Sequence, residues 1–198
     1  MFIGSRSAER AQTAAETIKK TVGSATRVTG HLNEEASARA DIVVVTVPFG
    51  ALAETIKTVK PSLTPGKILV NVTVPLETGI GGKATRTITP WAGSAAELAA
   101  SLVPKGVTVV TAFNNVSAEP LGDPSRKIEC DVLVCGDDKE AKKTIIELAA
   151  AIPGARALDA GPLENSRTIE QITALLVSMN IRYGVHSAGF RVTGVPIS

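Results

Sequence analysis

Short runs rich in Val and Ile alternate along this chain with stretches in which apolar positions return every three or four residues. The first pattern suits buried strands and the second suits amphipathic helices. Strand runs fall at Met1–Gly4, Thr26–Thr29, Ile42–Val47, Lys67–Val72, Val107–Ala112, Val132–Cys135 and Arg156–Asp159. Helical spacing covers Ala8–Lys20, Asn33–Ala40, Phe49–Val59, Ser94–Leu102 and Lys139–Ala150. This alternation predicts an α/β protein built on a doubly wound, mostly parallel sheet with helices on both faces. Ser7 stands where the first helix needs an N-cap, and Asp137-Asp138 place negative charge at the start of the helix over 139–150, where the dipole favours it. Pro61, Pro65-Gly66, Pro104 and Pro153-Gly154 mark segment ends.

Two stretches break the alternation. Val74 to Gly93 is a Gly- and Thr-rich loop of the length that compact domains reserve for function. Its Gly79-Ile-Gly-Gly82 follows no strand and opens no helix, which predicts a lid or a plain loop and not a phosphate cradle. From Leu163 to about Tyr183 the spacing predicts one long helix with an apolar stripe of Ile169, Ile172, Leu175, Leu176 and Met179. Such a stripe packs against the sheet, a second subunit, or both. Ser187 to Ser198 reads as an irregular tail.

Doubly wound sheets bind ligands outside the carboxyl ends of their strands. Those tips here are Gly4-Ser-Arg6, Val47-Pro-Phe-Gly50, Asn71-Val-Thr-Val-Pro75 and Phe113-Asn-Asn-Val-Ser117. The first is the most telling. In a dinucleotide-binding fold an acid at the second strand tip takes the ribose of NAD, and an arginine there accommodates the 2′-phosphate of NADP. This chain has Ser5 and Arg6 at the tip, Arg10 a turn later, and no acid. A hydroxyl, fork-shaped cations and a helix N-terminus together suit a phosphate dianion. The bland alternative, two surface cations, leaves positive charge at the positive end of a helix dipole. No first strand and no G-x-G-x-x-G precede this segment. The chain is therefore expected to start about 25–30 residues downstream of a complete fold's beginning, after the first strand and helix.

The chain has 198 residues, 44% hydrophobic and 20% charged, enough for a sizeable core. A net charge of +2 and 3% aromatic content argue against nucleic-acid binding. The longest apolar runs, such as Ile42–Val47, are too short for a membrane span. No signal-peptide pattern opens the sequence, so a cytoplasmic location is expected. Cys130 and Cys135 flank an apolar run whose alternation sends them to opposite faces. They are expected to be buried free thiols. His31, placed in a turn, and His186, past the last helix, stand alone, with no metal-ligand spacing around them. The strand tips hold no nucleophile–base set and no carboxylate pair, so no catalytic side chain is assigned. A site of that kind suits chemistry carried by cofactors, above all hydride transfer, where the protein positions two rings and excludes water.

Five segments then stand out in order: Gly4-Ser-Arg6, Asp41-Ile-Val-Val-Val-Thr-Val-Pro48, Ala112-Phe-Asn-Asn-Val116, Cys130-Asp-Val-Leu-Val-Cys-Gly-Asp137 and Asp159-Ala-Gly-Pro-Leu-Glu-Asn165. Through them the whole chain resembles the NADPH-dependent F420 reductases, also called F420-dependent NADP oxidoreductases. The resemblance implies a Rossmann-like fold and reversible hydride transfer between nicotinamide C4 of NADP(H) and C5 of the deazaflavin coenzyme F420. It places the 2′-phosphate on Ser5, Arg6 and Arg10, and the adenosine and pyrophosphate near Val47, Pro48 and Phe49. The nicotinamide falls at Val72, Thr73 and Val74. Phe113, Asn114, Asn115 and Val116 wall the deazaflavin pocket, helped by the last helix. It further implies a truncated NADP-binding domain over 1–112, a deazaflavin-binding and dimerisation part over 113–198, and a homodimer paired through the C-terminal helices. In the family's strand order the absent first strand would lie between the strands starting at Met1 and Ile42. The resemblance gives archaeal members a histidine in the Asn114 segment, whereas the asparagine here can bond a ring carbonyl but cannot hold a proton charge. Alternatives therefore stay open: a flavin, quinone or metal complex as acceptor, or a truncated, non-catalytic binding or dimerising protein. Asn114 and Asn115 could equally serve loop backbone groups. Arg167 and Glu170 read as a solvated pair, and Glu164 and Asn165 as caps of the last helix.

Overall fold

Val- and Ile-rich runs with apolar residues on both faces suit the middle of a layered sheet, and the computed structural model, describing residues 1–23 and 26–196, buries the strands over 68–71 and 108–111 there, while the run over 42–45 forms a sheet edge with Val44 45% exposed. In chain order the elements are β1 (Phe2–Ser5), α1 (Ala8–Val22), β2 (Thr29–Leu32), α2 (Asn33–Arg39), β3 (Ile42–Val45), α3 (Phe49–Val59) and β4 (Ile68–Asn71). There follow α4 (Ala95–Leu102), β5 (Thr108–Thr111), α5 (Ala118–Leu121), β6 (Asp131–Gly136), α6 (Lys139–Ala150), β7 (Arg156–Asp159) and α7 (Ser166–Tyr183). Strands β3-β4-β5-β6-β7 form a five-stranded sheet in that order, parallel except for the β5–β6 pair, while β1 and β2 form a parallel pair of their own. The mostly parallel α/β reading holds. The five-stranded sheet runs straight through residue 112, since Thr111 of β5 sits opposite Cys135 of β6.

Alternation sorts neighbouring residues onto two faces. Leu69 and Val109 join Leu52, Ile56 and Ala96 on the α3/α4 side. Val70 and Val110 join Val132, Val134 and Ile145 on the α6 side. Helix α2 touches β1 and α3, and its carboxyl end is tied to β4 by one buried cation. Lys67 Nζ donates to the carbonyls of Ser37 (2.7 Å), Ala38 (3.0 Å) and Ala40 (2.6 Å). These are carbonyls that a helix end leaves without intrahelical partners.

Strand β2 starts three residues later than the sequence pattern suggests, at Thr29 and not Thr26, and so takes in His31. Gly30 marks a close approach within this strand: a Cβ there would lie 2.3 Å from backbone atoms of Ala11 and Gln12, so only glycine lets α1 pack this closely. His31 thus lies in a strand, where its Nε2 is 2.8 Å from Thr29 Oγ1, and not in a turn. The four-residue α5 had no periodic signal. The irregular tail is nonetheless anchored: Asp131 N donates to Phe190 O (3.0 Å), and Val192 N donates to Asp131 Oδ2 (2.7 Å). The tail's last two residues lie outside those described. Both cysteines are buried and free. Burial raises both thiols, Cys135 to about 12, which leaves it inert.

Candidate functional site

At the tip of β1 the chain turns into α1 through two hydroxyls. Ser5 Oγ accepts from Ser7 N (3.2 Å), and Ser7 caps the helix by accepting from Arg10 N (3.4 Å). Arg6 and Arg10 are exposed beside this helix end, and neither is in an ion pair among the described residues. A cavity of about 130 Å³ runs from this strand to β3, with Gly4, Asn33, Val45, Thr46 and Val47 among its lining. Pro48 takes the N-cap position of α3 and Phe49 is its first residue, half-buried. Of the residues expected to contact the cofactor here, Val47 is among the lining of this cavity, whereas Ser5, Arg6, Arg10, Pro48 and Phe49 are not.

The β3, β4 and β5 tips are joined by the protein's own hydrogen bonds. Thr73 Oγ1 donates to Val47 O (3.0 Å), and Thr73 O accepts from Asn71 Nδ2 (3.1 Å) and Asn114 Nδ2 (3.2 Å). Thr111 Oγ1 lies 2.9 Å from Asn114 Oδ1 and 3.0 Å from Asn71 O. Helix α7 enters through Thr173, whose Oγ1 donates to Asn114 O (3.0 Å). Val47, Thr73 and Asn114 thus form one seam, with Val72 and Val74 half-buried on either side of Thr73. Phe113 holds a φ of 65°, a conformation that costs a bulky residue and persists only where its surroundings hold it. Both ends of the Asn114 amide are engaged within the protein. Asn115 is different: its Nδ2 donates to Asp131 O (2.6 Å), while its Oδ1 is buried with no partner among the described residues.

Asn115 lines a second cavity of about 360 Å³, together with Ser117, Lys127, Ile128, Cys130 and Ala188. The segments 126–129 and 187–189 were missed by sequence reasoning, because they carry no motif and meet only when the tail folds back over β6. The unpartnered amide oxygen would be relieved by a ligand N–H or O–H. Val116 is half-buried at the end of the same loop.

The start of α7 departs from the sequence reading. Asn165 occupies the N-cap position but makes no capping bond; its Nδ2 donates to Ala160 O (2.7 Å). Arg167 and Glu170 do not pair. Arg167 binds Glu97 through Nε (2.8 Å) and Nη2 (2.6 Å), while Glu170 is buried with 2% exposure and accepts from Ala95 N (3.0 Å) and Ala96 N (3.2 Å). The Arg167 bond holds the Glu97 carboxyl below the usual range against the effect of burial. Of the predicted apolar stripe, Ile169 and Leu176 are buried, whereas Leu175 (58%) and Met179 (38%) face outward. Helix α7 is thus docked along one side and open along another. No helix among the described residues is long and apolar enough to cross a membrane.

A profile of the family described as NADP oxidoreductase, coenzyme F420-dependent, matches residues 1–75. Over 198 residues the chain is 43% identical to the F420-dependent NADP reductase of Methanothermobacter thermautotrophicus, covering 99% of this chain and 85% of that protein. The chain belongs to the F420-dependent NADP reductase family. A second member, from Methanocaldococcus jannaschii, is 42% identical over 200 residues, with 100% of this chain and 89% of that protein covered. A solved Arthrobacter sp. FB24 structure superposes with a TM-score of 0.80 at 22% identity, covering 97% of this chain and 87% of that one, a likeness of fold. Rat metalloreductase STEAP3 is 41% identical over 112 residues, which is 57% of this chain and 21% of that protein.

Proposed function

We propose that this protein transfers a hydride between NADPH and the deazaflavin coenzyme F420. The observation that carries the reading is the hydrogen-bonded seam Val47–Thr73–Asn114, set between an arginine-bearing strand tip and a cavity with an unanswered acceptor. Arg6 and Arg10 fit a phosphate dianion: they are exposed, unpaired among the described residues, and stand at a helix N-terminus. Ser5 supports them. Val47, Pro48 and Phe49 wall the adenosine and pyrophosphate, and Val72, Thr73 and Val74 the nicotinamide. Phe113, Asn114, Asn115 and Val116 face the deazaflavin, with Asn115 Oδ1 accepting from a ligand N–H or O–H. When bound, the two ring systems supply the hydride chemistry. The chain's residues hold them in place and keep water out, which needs no titrating side chain.

On this reading residues 1–112 serve NADP binding, and residues 113–198 serve the acceptor and a homodimer. Leu175, Met179, Ile181 and Tyr183 are the exposed apolar and aromatic residues of α7 available for that pairing. The location proposed is the cytoplasm. The test is direct: protein, NADPH and F420 are mixed and the deazaflavin absorbance followed, with flavin and a ferric chelate in parallel arms. Loss of the F420 band only with NADPH and protein supports the proposal. Reduction of the ferric chelate with F420 untouched favours the second reading, a metal-complex reductase, to which the STEAP3 similarity points.

A further inference from the structure

We infer that Glu170 is a positioning residue: its carboxylate clamps α7 to the amino end of α4 and, through Thr173, holds the Asn114 loop in the shape that receives the acceptor. The inference rests on the reading of that loop as the acceptor side of the site. A helix leaves its first N–H groups without intrahelical partners. In α4, Ser94 Oγ takes the N–H of Glu97 (3.0 Å), and Glu170 takes those of Ala95 and Ala96, one on each carboxylate oxygen (3.0 and 3.2 Å). An anion at this end of a helix is also favoured by the dipole. Glu170 comes from a different helix, so satisfying α4 fixes where α7 lies. Ser166 Oγ, 2.8 Å from Ser94 Oγ, adds a second tie one turn earlier. One turn later, Thr173 donates to Asn114 O (3.0 Å), and the Asn114 amide reaches Thr73 O (3.2 Å). Residues 170 and 173 lie on one face of the helix, so displacement of the first moves the second.

The charges around Glu170 leave it without a counter-ion. The charge that acts on it is another acid, Glu97 from α4. Arg167 is spent on Glu97. Burial, the largest influence, pushes the Glu170 carboxyl up to about 7, with the Glu97 charge adding to it and the two backbone bonds opposing it. The ionised form offers an acceptor to both N–H groups, and protonation removes one. The clamp is therefore tight above neutrality and slack below it.

The experiment compares the whole chain with Glu170→Gln and Thr173→Val, measuring KM for F420, NADPH affinity and amide exchange of residues 113–117 between about pH 6 and pH 8. In wild type, F420 KM rises about five-fold as pH falls, the low end of site-to-site coupling. Glu170→Gln holds the acid-side KM at every pH, with faster exchange of 113–117 at pH 8 and unchanged NADPH affinity. Thr173→Val also flattens the profile while leaving Glu170 in place, which covers the case of a Gln variant that does not fold. A Glu170→Gln profile that keeps the wild-type slope, or unchanged exchange in both variants, overturns the inference. Exchange that responds as expected in a protein that never reduces F420 would refute the acceptor assignment and leave the clamp standing.

Discussion

Asp131→Asn tests how the C-terminal tail and the acceptor cavity are built. Asp131 is fully buried at the first position of β6, and its carboxylate accepts from Arg156 Nε (2.6 Å), Arg156 Nη2 (2.5 Å) and Val192 N (2.7 Å). Its carbonyl also accepts from Asn115 Nδ2 (2.6 Å). The amide removes the charge and turns one acceptor atom into a donor facing another donor. Breaking a buried pair from one side costs about 3–5 kcal/mol. Arg156 keeps some contact with water, so we expect the lower end, about 3 kcal/mol. At this chain length that lowers Tm by roughly 6–12 °C. Burial alone would raise the Asp131 carboxyl, but the Arg156 and Val192 bonds and the Arg156 and Arg191 charges outweigh it and hold it below 3.8. The unfolded chain thus binds the proton more readily. The stabilisation is complete above the unfolded value of 3.8 and is lost as pH falls through the folded one. Calorimetry from neutral pH into acid should show the gap between wild type and variant closing in the acid range. A fall of less than about 2 °C at neutral pH, or a gap independent of pH, would refute the reasoning.

Three further outcomes follow from single contacts. Arg6→Ala should weaken NADPH binding about ten-fold or more, as for a lost charge-assisted hydrogen bond, and leave NADH unchanged in a fluorescence titration; equal losses would remove the 2′-phosphate role. Gly30→Ala should cost about 1–3 kcal/mol in urea unfolding, because its Cβ would meet α1 backbone at 2.3 Å; faster hydrogen exchange should appear in β1 and β2 first, and an unchanged urea midpoint would contradict the packing argument. Asn115→Ala should raise the F420 KM about three- to ten-fold, the worth of one hydrogen bond, with NADPH affinity constant; an unchanged KM would mean that the Asn115 oxygen does not face the acceptor.

Much of this architecture was legible in the sequence because burial on both faces leaves a strong signal. Ile42–Val47 and Lys67–Val72 enclose the observed β3 and β4, and Arg156–Asp159 coincides with β7. Ser7 and Asp138 cap their helices, Asp138 Oδ1 accepting from Ala141 N (2.8 Å). What escaped was long-range. Nothing local in Arg167 or Glu170 reveals that α4, seventy residues or more earlier in the chain, offers each a partner. Their spacing alone suits a solvated pair equally well. The wall of the Asn115 cavity was hidden for the same reason, since Ser187–Gly189 reach it only through tail contacts with β6. Composition marks a segment as irregular, but it does not reveal what pins that segment down.

The division of labour between Asn114 and Asn115 gives the site its chemical character. Side by side in one loop, they read alike in the sequence. Asn114 spends both ends of its amide on Thr111 and Thr73, closing the seam between the β4 and β5 tips. A group so engaged contributes geometry, not protons. Asn115 spends only its nitrogen and keeps a buried oxygen open. Hydride transfer asks for two rings held at a fixed separation with water excluded, and a neutral seam, in which only the Asn71 amide oxygen has no partner among the described residues, does this without charge that would need solvent. The ionisable group with the clearest route to this loop, Glu170, stands behind it on α7 and reaches it through Thr173. A pH dependence in this protein should therefore enter through the placement of the loop, in KM for the acceptor, before it enters through the hydride step itself.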